Sequence, residues 1–209
     1  RPQIAIWDAA TARELKLLPV RHRRGVSSME FSRDRKFLLS TGQDSDHSIG
    51  LWESPSGEWH DARLKAWNKG DLNPVVFASF YSADNILFGS GGRFHVKFWK
   101  AEGRCLNPVY AEYPENIKLG TILCGTSIGR DFITGSTTGH IQVWQGRKLD
   151  RVLRAHELGV SCAWSNGQNV VTASKDGQVK IWSSKMDYIK SFVLSDADIP
   201  PLNSSIRSI

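Results

Sequence analysis

The 209-residue sequence is poor in cysteine and has no long apolar run. Its three cysteines, Cys105, Cys124 and Cys162, are an odd number without a CxxC pair, so neither a disulfide framework nor a zinc site is indicated. No apolar stretch approaches the roughly 20 residues that span a bilayer, and the first residues, RPQIAIWDAA, do not contain the apolar core of a signal peptide. We therefore expect a cytoplasmic protein that does not bind membranes.

Motifs of the common enzyme classes are also missing. The chain has no GxxxxGK[ST] or GxGxxG phosphate loop, no HExxH helix and no GxSxG elbow. The glycine-rich stretch GSGGRF at 89–94 lies between two predicted strands, which favours a turn over a phosphate cradle. The six histidines are spread over separate segments, and no two share a spacing that brings metal ligands together. We expect no enzymatic activity, no metal, no cofactor and no small-molecule substrate.

The sequence does contain an internal repeat. Five apolar segments end in tryptophan, at intervals of 45, 47, 45 and 38 residues: IAIWD at Trp7, IGLWE at Trp52, VKFWK at Trp99, IQVWQ at Trp144 and VKIWS at Trp182. A period of this length that closes on an apolar strand is typical of a propeller blade of four antiparallel strands. Short β-branched and aromatic runs between Gly, Asp, Asn and Ser turns supply the other strands, and no long 3.6-residue period predicts a helix. The fold class is therefore predicted to be all-β.

The repeat divides the chain into blades of one propeller domain. Residues 1–20 are predicted to form the third and outer strands of an incomplete blade, and residues 197–209 to begin a further blade. Four full blades are expected between them, at 21–67, 68–113, 114–155 and 156–196. Because a ring needs its last blade to meet its first, this arc of about four full blades with part-blades at both ends is expected to be a fragment of a longer protein.

The last full unit carries a polar set that resembles the WD40 repeat. His156 lies before the first strand, Thr172 on the second, Asp176 in the turn before the third, and Trp182 ends the third. An Asp, a His and a hydroxyl within one unit also suggest a catalytic relay. A His between a carboxylate and a hydroxyl, with an indole N–H near that hydroxyl, instead satisfies buried polar groups, and partly decayed copies favour this structural role.

The resemblance to WD40 repeats covers the whole chain, with departures. In the first full unit the matching set has an insertion at Ser45–Asp46, and its members are His22, Ser40, Asp44 and Trp52. In the middle units Thr138 and Arg93 stand where Asp is expected, and Trp67 lies where a His is expected. Trp7-Asp8 keeps the family's WD dipeptide, which the other four repeats replace.

A narrower resemblance is to the N-terminal propeller of the echinoderm microtubule-associated-protein-like (EML) family. The segments HVKFW at 95–99 and AHELGV at 155–160 match motifs of two consecutive blades of that family in order and spacing. STGQDSDHSIGLW and the final LNSSIRSI are also similar to segments of that propeller. The resemblance implies a non-enzymatic scaffold of the cytoskeleton that binds tubulin or microtubules.

Charge gives a weaker indication of the partner. The net charge of +6 and the pI of about 9.3 suit an acidic surface such as that of a microtubule. The candidate partner contacts lie on loops expected at one rim of the propeller: Arg21, Arg23, Arg24, Trp67, Lys69 and Arg93. Solvated loops are the alternative interpretation of these residues, and a general WD40 adaptor in a ubiquitin-ligase, trafficking or signalling complex is the alternative function. The charge permits nucleic acid, but no recognition helix or stacking motif supports it.

Overall fold

The structure is a computed structural model that describes residues 2–81 and 84–193. These residues form strands and turns, and the described part of the chain has no helix that is long and apolar enough to cross a membrane. The strands are β1 Ile4–Trp7, β2 Glu14–Leu18, β3 Val26–Phe31, β4 Phe37–Gly42, β5 Ile49–Glu53, β6 Arg63–Asn68, β7 Val75–Tyr81, β8 Asp84–Gly92, β9 His95–Glu102, β10 Cys105–Tyr110, β11 Ile122–Ile128, β12 Asp131–Ser136, β13 His140–Gln145, β14 Lys148–Arg154, β15 Val160–Ser165, β16 Asn169–Ser174, β17 Gln178–Ser183 and β18 Tyr188–Val193.

The strands form one two-stranded sheet, β1–β2, and four four-stranded sheets, β3–β6, β7–β10, β11–β14 and β15–β18. Every sheet is an antiparallel meander in which neighbours in sequence are neighbours in space. The prediction of an all-β partial propeller is therefore confirmed. The predicted start of a further blade at 197–209 lies outside the described residues.

A register shift at the start of the first strand recurs in each four-stranded sheet. It begins at Val26, Val75, Ile122 and Val160, where the first strand meets the end of the second. A bulge of this kind inserts one unpaired residue and increases the local twist of the strand. Because the shift occupies the same place in each sheet, these four residues are structurally equivalent, and positions in different sheets can be compared by counting from them.

The apolar cores lie between the sheets. Phe77, Phe98, Phe132 and Trp144 pack together where β7–β10 meets β11–β14. Similar clusters lie between the other adjacent sheets, so each sheet covers a face of the next. Burial on both faces explains why the third strands are apolar almost throughout, with Trp52, Trp99 and Trp144 almost fully buried.

The first strands of the four-stranded sheets surround a cavity of about 310 Å³, which we call the channel cavity. Glu30, Ser79, Thr126 and Trp164 line it from β3, β7, β11 and β15. Each of them follows the residue that pairs with an equivalent hydroxyl residue on the second strand. Among all its lining residues, the channel cavity has one carboxyl group, that of Glu30, together with Arg33, several hydroxyls and several aromatic side chains.

Candidate protein-interaction surface

The predicted polar set of the last unit is assembled in the structure. The indole Nε1 of Trp182 donates to Thr172 Oγ1 over 2.9 Å, and His156 Nε2 lies 3.0 Å from the same oxygen. Asp176 Oδ2 lies 3.4 Å from His156 Nδ1 and accepts a hydrogen bond from the backbone N–H of Glu157. The set therefore joins the loop before β15 to the second and third strands.

The set of the first unit has an additional member. His22 Nε2 lies 2.9 Å from Ser40 Oγ, which also accepts a 3.0 Å hydrogen bond from Trp52 Nε1. His22 Nδ1 lies 3.6 Å from Asp44, too far for a good hydrogen bond, and Ser48 Oγ bridges the two at 2.7 and 2.6 Å. In the last unit His156 Nδ1 has no such bridge, and it lacks a hydrogen-bond partner among the described residues.

The unit at 68–113 departs from the expected pattern in a way that the sequence interpretation missed. Trp67 lies within β6 and not in the loop before the first strand of the next sheet, so it does not occupy the position expected for His. Asp71 occupies that position, four residues before Val75, as His156 stands four residues before Val160. Asp71 pairs with Lys97 at 2.7 Å and lies 3.7 Å from His95 Nδ1.

The unit at 114–155 replaces the histidine with an amide. Trp144 Nε1 donates to Thr134 Oγ1 over 2.9 Å, and Thr134 Oγ1 donates to Gln142 Oε1 over 2.8 Å. Thr138, at the position expected for Asp, contacts Ser136 Oγ at 2.9 Å and His140 Nδ1 at 3.0 Å. The polar network of this unit is therefore built from different side chains around the same indole and hydroxyl.

We call the two polar sets clasps: His22, Ser40, Asp44 and Trp52 form the first, and His156, Thr172, Asp176 and Trp182 form the last. Burial favours the neutral form of both clasp histidines, and the hydroxyl groups beside them are fully buried. Burial lowers the pKa of His22 and of His156 despite the carboxylates of Asp44 and Asp176. A neutral His beside a hydroxyl could act as the base that activates that hydroxyl as a nucleophile. Thr172, however, is completely buried, and its hydroxyl oxygen already accepts a hydrogen bond from the indole N–H of Trp182. No substrate reaches this oxygen in the folded chain, so the geometry favours a structural role.

A second feature lies on the surface above the first clasp. A cavity of about 780 Å³, which we call the rim cavity, is lined by residues 2–3, 19–23 and 44–46 and by Trp67. These segments share one end of the sheets, because β1, β3 and β5 begin there and β6 ends there. Arg21 and Arg23 are exposed at the cavity, and neither forms an ion pair within the described ranges.

The predicted partner contacts are only partly brought together. Arg21, Arg23 and Trp67 line the rim cavity, and Lys69 is tied to its edge by a 3.2 Å ion pair with Asp46. Arg24 is exposed but does not line the cavity. Arg93 lies in the turn between β8 and β9, where its guanidinium stacks over Phe94 at 5.1 Å. The described residues contain no group of three or more His, Cys, Asp and Glu side chains that would hold a metal ion.

The family that matches the sequence is also described as a propeller, in agreement with the sheets seen in the structure. The family described as the echinoderm microtubule-associated protein first beta-propeller matches residues 1–209, which is the whole chain. The chain belongs to this family. The EML resemblance seen in the two motifs at 95–99 and 155–160 is thereby confirmed.

Individual relatives of this EML-family chain are more distant. Echinoderm microtubule-associated protein-like 1 of Rattus norvegicus is 29% identical over 167 residues, covering 76% of this chain and 20% of the relative. Echinoderm microtubule-associated protein-like 2 of Rattus norvegicus is 27% identical over 166 residues, covering 76% and 25%. Cilia- and flagella-associated protein 251 of Tetrahymena thermophila is 27% identical over 162 residues, covering 68% and 15%. The chain therefore spans a quarter or less of the length of these relatives.

Proposed function

We propose that this EML-family propeller is a non-enzymatic protein-interaction scaffold that associates with microtubules or tubulin and acts in organisation of the cytoskeleton. The family match over the whole chain carries this proposal. The names of the relatives, which are a microtubule-associated and a cilia- and flagella-associated protein, point to the same cytoskeletal location. The buried clasps support the absence of catalysis, because the repeat's polar groups serve packing.

Charge supports an acidic partner. The chain has a net charge of +6, and its RHRR segment at 21–24 places Arg21, Arg23 and Arg24 on the surface at one end of the sheets. Attraction between such a cluster and an acidic protein surface increases the association rate and weakens as salt screens it. Binding to microtubules should therefore fall steeply as the salt concentration rises.

Co-sedimentation with stabilised microtubules tests the proposal. The chain is expected to pellet with microtubules at low salt and to be released at high salt. A folded chain that stays in the supernatant at low salt would contradict microtubule association. A pull-down that recovers a ubiquitin-ligase, trafficking or signalling assembly without tubulin would favour the adaptor alternative.

Charge reversal locates the contact. The double variant Arg23→Glu with Arg24→Glu is expected to weaken co-sedimentation strongly. Arg13→Glu with Arg104→Glu makes the same change in net charge on exposed turns elsewhere and serves as the matched control. Equal losses in the two variants would show that only net charge matters, and unchanged binding in both would remove the arginine cluster from the interface.

A further inference from the structure

Two arginines at the rim cavity have no carboxylate partner among the described residues. Asp46 is paired with Lys69 at 3.2 Å, and Asp44 accepts a 2.6 Å hydrogen bond from Ser48 while facing His22. Lys69 therefore neutralises Asp46, whereas Asp44 keeps its charge but is almost completely buried. Arg21 and Arg23 are exposed at the same cavity, and no carboxylate in the described ranges lies within ion-pair distance of either.

The shape of the cavity suits a short chain segment. Its volume of about 780 Å³ lies within the range of roughly 300–1,000 Å³ that is usual for ligand pockets. Trp67 supplies an aromatic wall, and residues 19–20 add a Pro and a Val to the lining. The cavity thus places two arginines near an indole and a few apolar side chains, and Trp and Arg are enriched among the residues that dominate binding at protein interfaces.

We propose that the rim cavity binds an acidic peptide segment of a partner protein, with carboxylates held by Arg21 and Arg23 and the segment packed on Trp67. The planar guanidinium group binds a carboxylate through two parallel N–H donors, which makes arginine better suited than lysine to this contact. This inference rests on the proposed function, because it specifies the kind of partner segment that the scaffold would bind.

A peptide suits this cavity better than a nucleic acid. Asp44, Ser45 and Asp46 form one wall, so a continuous row of phosphates would approach two carboxylates along with the two arginines. An acidic peptide carries its carboxylates on flexible side chains, which can turn toward Arg21 and Arg23 and away from Asp44 and Asp46, whereas phosphates are fixed in the nucleic-acid backbone. Binding of an oligonucleotide that competes with the peptide for the same arginines would overturn the choice of a peptide.

The probe is a capped hexaglutamate peptide, with hexaglutamine and a short single-stranded DNA as comparisons. Binding is followed by the indole N–H signals in ¹H–¹⁵N NMR spectra, in which Trp67→Phe assigns the signal of Trp67. Hexaglutamate is expected to shift the Trp67 signal in a saturable and salt-dependent way, and hexaglutamine is not. Hexaglutamate binding that moves other indole signals and leaves Trp67 unchanged would overturn the proposal.

The variant Arg21→Gln with Arg23→Gln is expected to lower hexaglutamate affinity by about tenfold or more, because two charge-assisted contacts are lost. Arg13→Gln with Arg104→Gln lowers net charge equally and should leave affinity within about twofold. Equal effects of the two pairs would contradict a built site. Microtubule co-sedimentation of the same variants separates the proposals: peptide binding without microtubule binding contradicts only the proposed function, and microtubule binding without peptide binding contradicts only this inference.

Discussion

Trp182 Nε1 donates a 2.9 Å hydrogen bond to Thr172 Oγ1, and the equivalent bond recurs in every four-stranded sheet that the structure describes. The other three join Trp52 to Ser40, Trp99 to Ser90 and Trp144 to Thr134, at 3.0, 2.8 and 2.9 Å. The hydroxyl also contacts a His in two of these sheets and the amide of Gln142 in a third, and in the sheet β7–β10 the register partner of Ser90 is Lys97, which pairs with Asp71. The indole–hydroxyl bond is therefore the constant part of the repeat, because a fully buried indole N–H needs one acceptor.

Removing the acceptor isolates the contribution of that bond. Thr172→Val keeps the shape and strand preference of the side chain but leaves Trp182 Nε1 and His156 Nε2 without their common oxygen. We expect the free energy of unfolding to fall by about 1–3 kcal/mol, the usual cost of an unsatisfied buried polar group. Urea unfolding measures it. Thr137→Val, at an exposed position, is the control and should change stability little.

The outer end of the same clasp should also contribute to stability and not to binding. Asp176 accepts backbone hydrogen bonds from Glu157 and Gln178 in addition to facing His156, and these bonds hold its pKa low although burial alone would raise it. Asp176→Ala is expected to lower the unfolding free energy by about 1–3 kcal/mol.

Partner binding provides the second measurement for this variant. Asp176→Ala should leave microtubule co-sedimentation unchanged at temperatures where the variant is folded, and Asp150→Ala, at an exposed position, is the matched control. A variant that loses binding at full stability would show that Asp176 belongs to the interface and that the structural interpretation is wrong.

Sequence pattern predicted the fold more completely than it predicted the clasps. The tryptophan period indicated the sheets because Trp52, Trp99 and Trp144 each lie on an apolar third strand and are almost fully buried between neighbouring sheets. The sequence did not reveal that Asp71 occupies the position of the His, because Asp is a common turn residue and an Asp in a loop does not by itself indicate a special role. Trp67 is not at the position expected for His, because β6 continues to Asn68 and that position, occupied by Asp71, lies four residues after Trp67.

Other features depended on contacts between distant segments. Ser48 bridges His22 and Asp44 from the position that Gln178 occupies in the last unit, and a serine in a polar turn has no distinguishing sequence pattern. Glu30 looks like a surface residue of an alternating strand. Its place beside Ser79 of the next sheet follows from packing of whole sheets, which a local pattern does not encode.

The carboxyl group of the half-buried Glu30 should make stability depend on pH. Burial at the channel cavity raises the pKa of Glu30 to about 7 from 4.5, although Ser79 Oγ and the N–H of Phe80 donate to it. Between about pH 4.5 and 7 the folded chain therefore binds more protons at this group than the unfolded chain. The contribution of Glu30 to the unfolding free energy falls as pH rises through that window and is constant above it.

Glu30→Gln should remove this dependence, because a neutral amide oxygen accepts the same two hydrogen bonds. The difference in unfolding free energy between the variant and the unchanged chain is expected to shift in favour of the variant by roughly 1–3 kcal/mol as the pH rises from 5 to 8. Urea unfolding at four pH values gives the difference curve, in which the contributions of the histidines cancel. Glu115→Gln, at an exposed position, is the control. Parallel curves for Glu30→Gln and the unchanged chain would contradict the shifted pKa.

A glycine controls the distance between two sheets. Gly89 of β8 packs against Phe132 of β12, and a Cβ atom at position 89 would lie 2.5 Å from the Phe132 ring. Gly89→Ala is therefore expected to lower the unfolding free energy by about 1–3 kcal/mol through overpacking. Gly120→Ala is the matched control, since the nearest atom to its added methyl group, Thr137 Oγ1, lies at 3.7 Å.

A double-mutant cycle assigns that cost to the contact between the sheets. Phe132→Leu removes the atoms that the new methyl group at position 89 would meet, at the expense of a cavity, because Phe132 is fully buried. If overpacking is the cause, Gly89→Ala should cost less in the Phe132→Leu background, with a coupling of roughly 0.5–3 kcal/mol. Additive effects would instead mean that the cost of Gly89→Ala arises within the backbone of β8. The two sheets would then be able to move apart enough to avoid the contact between the new methyl group and Phe132.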